Sequence, residues 1–428
     1  MRAPTPRQES RSPGSAGAAI QHDEGPTSRY LRKRQDILAA AALVFNELGI
    51  GGGTLAGIAD RVGLATNSVT YYYRRKEDLV SACFHRSIVA QLEEIRDAAI
   101  HPTVAGRVEA YLVGQAALLA DIATGDRPPL VVFSELRTLG GRTGVEVHRV
   151  YVDVFRAVRA LLVGPETAGL TRADLNARTH MLLSAALFMR AWIKRVEPDQ
   201  YTRIGARLAD LIVDGLGSPE SAWRARGPEQ GWILVDATDT PNDRFLRAAT
   251  GLLNEKGYRG ASVNRISARL NVTKGSFYHH IEHKDDLILA CFERTLSAIR
   301  RAAAEAQALP LHGWDQVCAM SRSLGQLQIS SLGPLLRVGA LGALPASDGR
   351  ADAYRRMFQL TERIADMIVV GMIDGSIRPL DPGIAAQLVS GSVNAMAELH
   401  HWVPGAPPDR LLDLYLKPVF EGILTSPA

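Results

Sequence analysis

Between residues 66 and 76 the chain gathers short hydroxyl and amide side chains, two tyrosines and a lysine: Thr66, Asn67, Ser68, Thr70, Tyr71, Tyr72 and Lys76. On one exposed helical face, the short polar tips suit base edges. Phenol hydroxyls and an ammonium group suit phosphate oxygens. A constant offset of 208 residues, from Lys76 to Lys284, brings up a second set: Thr273, Lys274, Gly275, Ser276, Tyr278, His279, His280 and Lys284. Thr54 and Ser262 stand ahead of the two sets as helix caps whose hydroxyls can also donate to a DNA backbone. The chemistry these residues suit is hydrogen bonding to duplex DNA.

Other chemistries fit poorly. No Ser-His-Asp, Cys-His or paired-carboxylate arrangement stands at a useful spacing, so no enzyme is expected. His279, His280 and His283 beside Glu282 invite a metal reading. Adjacent helical residues face different directions, however, and neither a metal nor another cofactor is expected. Gly51-Gly52-Gly53 is followed by no Lys-Ser or Lys-Thr and preceded by no strand, so it reads as a connector and not a phosphate loop.

The positioning elements follow from periodicity. Ser28 can cap a helix to about Leu48 whose stripe is Ile37, Ala41, Val44, Phe45 and Leu48; Gly49 ends it. Thr54 caps a short helix that buries Leu55, Ile58, Ala59 and Val62. Gly63 makes the turn, with Asn271, which also tolerates a left-handed backbone, as its counterpart. A second short helix runs from about Thr66 to Tyr72, with Val69 (and Phe277 in the second copy) turned inward. Lys76-Glu77-Asp78 opens a long helix to about Ala98. Two short helices joined by a tight turn form a helix-turn-helix, whose second helix enters the major groove. The same order recurs at about Asp243–Ala308. Residues 36–84 align without a gap on 244–292 at about a third identity, which means two similar domains.

Helices are expected beyond the first unit at about 102–123, 128–139, 145–163, 171–197 and 198–216. Leu182, Ala185, Met189, Trp192 and Val196 form one stripe, and Tyr201, Ile204, Leu208 and Leu211 another. Ala385, Leu388, Val389, Ser392, Met396 and Leu399, then Leu411, Leu412 and Tyr415, are the counterparts. Small residues (Ser184, Ala185 and Ala186; Ser390, Gly391 and Ser392) allow close helix approach. Pro418 should bend or end the last helix.

Hydrophobic content of 46%, charged content of 22% and a net charge of +4 describe a soluble protein that permits a nucleic-acid partner. Three cysteines make no disulfide framework, which points to a reduced, cytoplasmic setting. No apolar run is long enough to span a membrane, and the N-terminus lacks a signal-peptide core.

The pattern apolar-small-x-x-Ser-apolar-x-Tyr/His-Tyr/His, then Lys-acid-acid-Leu, preceded by Ile-Ala/Ser and a turn Gly/Asn, resembles the TetR family of bacterial regulators. It spans about fifty residues and occurs twice. The resemblance implies an all-α chain of two tandem halves, each a three-helix DNA-binding domain followed by a helical effector and pairing domain. It implies pairing through the last two helices of each half, here as an intrachain pseudo-dimer, with further homodimerisation open. The expected order is a disordered tail (1–27), a first helix-turn-helix domain (28–75), a helical domain (76–216) and a linker (217–240). A second helix-turn-helix domain (241–283) and a second helical domain (284–428) follow. The two polar sets named above match the family's DNA-contacting positions. Asn67 departs from the usual Gly, Thr70 from the usual Tyr, and Glu282 adds an acid, so the copies should read different half-sites.

The implied partners are an operator duplex and a small apolar effector. Phe133, His148, Tyr151, Phe155, Phe188, Met189, Tyr354, Met357, Phe358, Met396 and His400 are candidate pocket residues, though such residue types more often serve a core. The expected function is a ligand-responsive regulator, most simply a repressor, on an asymmetric operator. The alternative is a small-molecule or partner-binding protein in which one helix-turn-helix has lost DNA binding.

Overall fold

Glycine conformations set the boundaries of the first domain. In this computed structural model, which describes residues 26–133, 139, 141–223, 240–270, 283–337, 339–342, 344 and 348–427, helix α1 runs Pro26–Gly52 with a break at Gly49 (φ 69°). It begins at Pro26, whose fixed φ suits a first turn, and not after a Ser28 cap. Thr54 caps α2 (Leu55–Val62), its hydroxyl accepting the Gly57 N–H at 3.0 Å, an arrangement worth about 1 kcal/mol. Gly63, left-handed at φ 67°, turns the chain into α3 (Thr66–Tyr72). Then α4 spans Lys76–Ala98, as its periodicity predicts.

The first helical body contains α5 (Val104–Thr124), α6 (Gly141–Leu161), α7 (Arg172–Trp192) and α8 (Tyr201–Asp214). Over 128–132 the expected helix at 128–139 does not form; Pro129 disfavours a helical backbone at Pro128 before it. That stretch is held by Asn46 of α1, which donates to the Leu130 carbonyl and accepts from the Val132 N–H, both at 2.9 Å.

The second half repeats the plan. It has α9 (Pro241–Gly260, broken at Gly257, φ 67°), α10 (Val263–Leu270), α11 (Lys284–Ala308), α12 (Gly313–Ile329), α13 (Asp348–Ile373), α14 (Pro382–Ala395) and α15 (Pro408–Glu421). The chain is all-α, with no strand among the described residues. Pro418 neither stops α15 nor divides it; the helix runs three residues further.

The repeat persists at atomic level. Glu47 pairs with Arg61, and Glu255 with Arg269 at 3.0 Å. Cys83 bonds the Leu38 carbonyl at 3.8 Å, and Cys291 the Leu246 carbonyl at 3.6 Å. Asn254 repeats the Asn46 clamp on Leu335 and Arg337, at 2.8 and 3.1 Å.

The two halves meet through α7 and α8 on one side and α14 and α15 on the other. Their chain ends bond reciprocally: the Leu216 N–H donates to the Phe420 carbonyl at 2.8 Å, and the Ile423 N–H to the Ile212 carbonyl at 2.7 Å. Arg178 of the first half grips the Ile423 and Thr425 carbonyls at 2.7 and 2.8 Å. Arg378 of the second half holds the Gly215 carbonyl at 2.9 Å and the Asp210 carboxylate at 2.7 Å. Phe188 of α7 seats its ring where a Cβ on Gly391 of α14 would stand, 2.7 Å away. The first residues after α8 are docked: Trp223 is buried, stacks on Phe420 with ring centres 5.1 Å apart, and donates to Asp413.

Candidate nucleic-acid interface and internal cavity

Val69 anchors α3. Its side chain is wholly buried, a contribution of about 1.5–3 kcal/mol, so the opposite face must point outward. On that face Thr66 and Asn67 are exposed, Ser68, Thr70 and Tyr72 are half-buried, and Tyr71 is 74% exposed. The Thr70 hydroxyl donates to the Asn67 carbonyl at 2.9 Å, which fixes its rotamer. Thr54 lies exposed at the start of α2. Lys76 opens α4 half-buried, its ammonium 3.4 Å from the Gly51 carbonyl. Asp78 accepts the Arg75 N–H at 3.2 Å, and hydrogen bonding from Arg75 holds its carboxyl below the usual range. That carboxylate therefore stays charged, leaving Arg75 partly neutralised at the edge of this face.

Sequence reading missed Tyr30. Its ring centre lies 4.9 Å from that of Tyr72 and 6.3 Å from that of Tyr71. This pins the first turns of α1, with the exposed Arg29, Arg32 and Arg34, beside α3. The signal was present in the basic run Arg29-Tyr30-Leu31-Arg32-Lys33-Arg34, which supplies phosphate-seeking charge next to the recognition helix.

In the second unit, Ser262 accepts the Arg265 N–H at 3.4 Å and Lys284 opens α11. The His283 N–H donates to Asp286 at 3.1 Å, matching Arg75 and Asp78. Thr273, Lys274, Gly275, Ser276, Phe277, Tyr278, His279, His280 and Glu282 lie outside the described residues.

The body of the second half, with α7 of the first, lines a cavity of about 880 Å³, counting its mouth toward solvent. Of the candidate pocket residues, Phe188, Tyr354, Met357 and Phe358 line it. The others are placed elsewhere. Phe133, Tyr151 and Phe155 belong to an aromatic ladder running from Phe84 to Trp402, with Phe155 and Trp402 stacked 3.7 Å apart. Met189 and Met396 are core residues, and so is Met367. His148 is exposed on α6, and His400, also exposed, lies against its neighbour His401, ring centres 3.8 Å apart and planes tilted by 42°. Among the lining residues that sequence reading missed are Gln387 and Asn394 on α14, Thr295, Gln328 and Thr361 on other helices, and Leu335 and Leu336, which follow a short irregular stretch carrying no periodic signal.

Leu335 and Leu336 tie the cavity to the second DNA-binding unit. The Leu335 N–H donates to Gln328 and the Leu336 N–H to Thr295, both at 2.9 Å. The Leu335 carbonyl accepts from Asn254 of α9. One short segment is thus both cavity wall and partner of a helix-turn-helix helix.

The first half is built differently at its core. Gln91 donates to Gln115 at 2.8 Å between α4 and α5, and Tyr111 is fully buried, its hydroxyl pushed upward in pKa by that burial.

Comparison with known proteins finds the family described as "Bacterial regulatory proteins, tetR family" at residues 37–83 and again at 245–291. The Transposon Tn10 TetC protein of Escherichia coli is 43% identical over 55 residues, 13% of this chain; the match spans only 28% of that protein's length. Among solved structures, a TetR/AcrR-family regulator from Thermobifida fusca YX-ER1 is 23% identical, covering 42% of this chain and 96% of its own, with a TM-score of 0.30. The regulator FadR from Bacillus subtilis, solved with stearoyl-CoA, is 18% identical, covering 42% and 97%, with a TM-score of 0.32. Two matches to one domain, at the two helix-turn-helix positions, show that this chain carries a tandem pair of tetR-family DNA-binding domains.

Proposed function

We propose that the protein is a ligand-responsive, sequence-specific DNA-binding regulator, a repressor in its simplest form, that presents two non-identical helix-turn-helix units from one chain to an asymmetric operator. The observation that carries this reading is the outward polar face of α3, held by wholly buried Val69 and flanked by Lys76 and the basic start of α1. In a symmetric dimer, one recognition helix is used twice and the operator mirrors that symmetry. Here the reciprocal bonds between α8 and α15 support an intrachain pseudo-dimer, which frees the two recognition helices to differ.

Response to a ligand follows from the Asn254 clamp. A small apolar molecule in the cavity displaces the 335–337 segment, which pulls on α9 and shifts the second recognition unit relative to the first. Only a ligand that binds one spacing better than the other changes DNA affinity.

The test is DNA binding by the full chain on fragments selected from random duplexes, measured across salt concentrations. Lys76→Ala should weaken binding on all sequences and reduce the salt slope by about 1. Asn67→Ala should relax base preference at one position of one half-site by about 1–3 kcal/mol. Neither change having an effect would remove α3 from the DNA interface.

A further inference from the structure

We infer that the cavity takes an elongated, uncharged, largely apolar molecule bearing one hydrogen-bonding head, such as an amide or hydroxyl, and that both halves of the chain hold it. This rests on reading the cavity as the effector site.

The lining carries no charged side chain among the described residues. A carboxylate or ammonium drawn inside would surrender its hydration without a counter-ion. Two cations stand near it on rings of lining residues: Arg195 of the first half, 3.6 Å from the centre of Phe358, and Arg350, 6.0 Å from the centre of Tyr354.

Within the apolar lining, Gln387, Ser390 and Asn394 fall at i, i+3 and i+7 of α14, one face of the helix. None of the three bonds another group among the described residues, and the buried Ser390 Oγ has no partner. Gln328 differs: its amide donates to the Val393 carbonyl at 3.1 Å and its carbonyl accepts from Leu335. The α14 face therefore offers both donors and acceptors that a neutral polar head completes, while the rest of the wall accepts a hydrocarbon body. Phe188, Ala191 and Trp192 come from α7 of the other half. Only the docked chain presents the whole site, and one occupant touches both halves.

The full-length protein is titrated with N-phenyl-1-naphthylamine, an uncharged apolar fluorophore, which is then displaced by decanamide or decanoate. One dye is expected per chain, with decanamide displacing it at about tenfold lower concentration than decanoate. Gln387→Leu with Asn394→Leu should bring the two competitors within about threefold of each other while dye uptake persists; the smaller change Ser390→Ala should weaken decanamide in the same direction. Phe188→Ala should shift dye affinity about threefold or more. Decanoate binding as well as decanamide, two dyes per chain, no uptake at all, or indifference to Phe188→Ala would each overturn the inference. DNA retention in the same samples separates the two readings. Selective amide uptake without DNA release keeps this site and removes its effector role. DNA release by decanamide and decanoate alike keeps the effector role and removes this specificity.

Discussion

Three cysteines show how completely single side chains are committed to the fold. Burial pushes the Cys83 thiol up to about 12 and the Cys291 thiol up to about 11; Cys318 is buried as well. Both shifted thiols stay protonated at pH 8, so an aromatic disulfide reagent should find no fast-reacting thiol in the native protein and three after denaturation. A thiol reacting within seconds in the native state would contradict this. The sign for stability follows from the raised values: the contribution is complete below the ordinary thiol pKa and declines as pH climbs toward 11–12. At this scale the sequence was informative about direction. Val69 was expected to point inward because it interrupts a polar face at helical spacing, and it does. The basic run around Tyr30 was legible as charge, but its contact with Tyr72 was not, since it joins residues more than forty positions apart and no local pattern encodes that distance.

Among the elements, α2, α3 and α4 lie where caps, turn glycine and periodicity put them, because each boundary is decided by a local hydrogen bond or a single backbone conformation. The start of the helix expected at 128–139 was misread over 128–132, where one proline follows another and disfavours a helical backbone before it. The cavity was only partly legible: aromatic and methionine side chains fill cores and line pockets alike, and tertiary packing alone sent Phe155 to Trp402 and Met357 to the cavity. The Asn254 link makes an element-scale prediction. Asn254→Ala should leave dye uptake intact while the change in DNA affinity on saturation with decanamide is lost, at a stability cost of about 1–3 kcal/mol for the orphaned Arg337 N–H. An undiminished response would place the coupling elsewhere. Gly215 makes another. It combines φ 70° with backbone atoms 2.3 Å from where a Cβ would sit, so Gly215→Ala should cost about 2 kcal/mol or more in a denaturation midpoint series and loosen α8 from α15. A neutral substitution there would mean the chain ends are not held together.

For the whole molecule, the 208-residue offset announced two units, and the Asn46 and Asn254 clamps show that the repeat extends beyond the DNA-binding domains. What no sequence pattern gave was the cavity against the second half, with α7 of the first half reaching across as part of its wall. On the proposed reading, covalent linkage fixes the ratio of the two recognition units at one to one and lets each evolve its own base preference. The most direct test is native mass measurement of the protein bound to a duplex selected from a random pool, with that duplex footprinted in parallel. One chain covering two unlike half-sites, on adjacent turns of one face of the DNA, is the expected result. Two chains on a perfect palindrome, each contributing the same recognition helix, would contradict it.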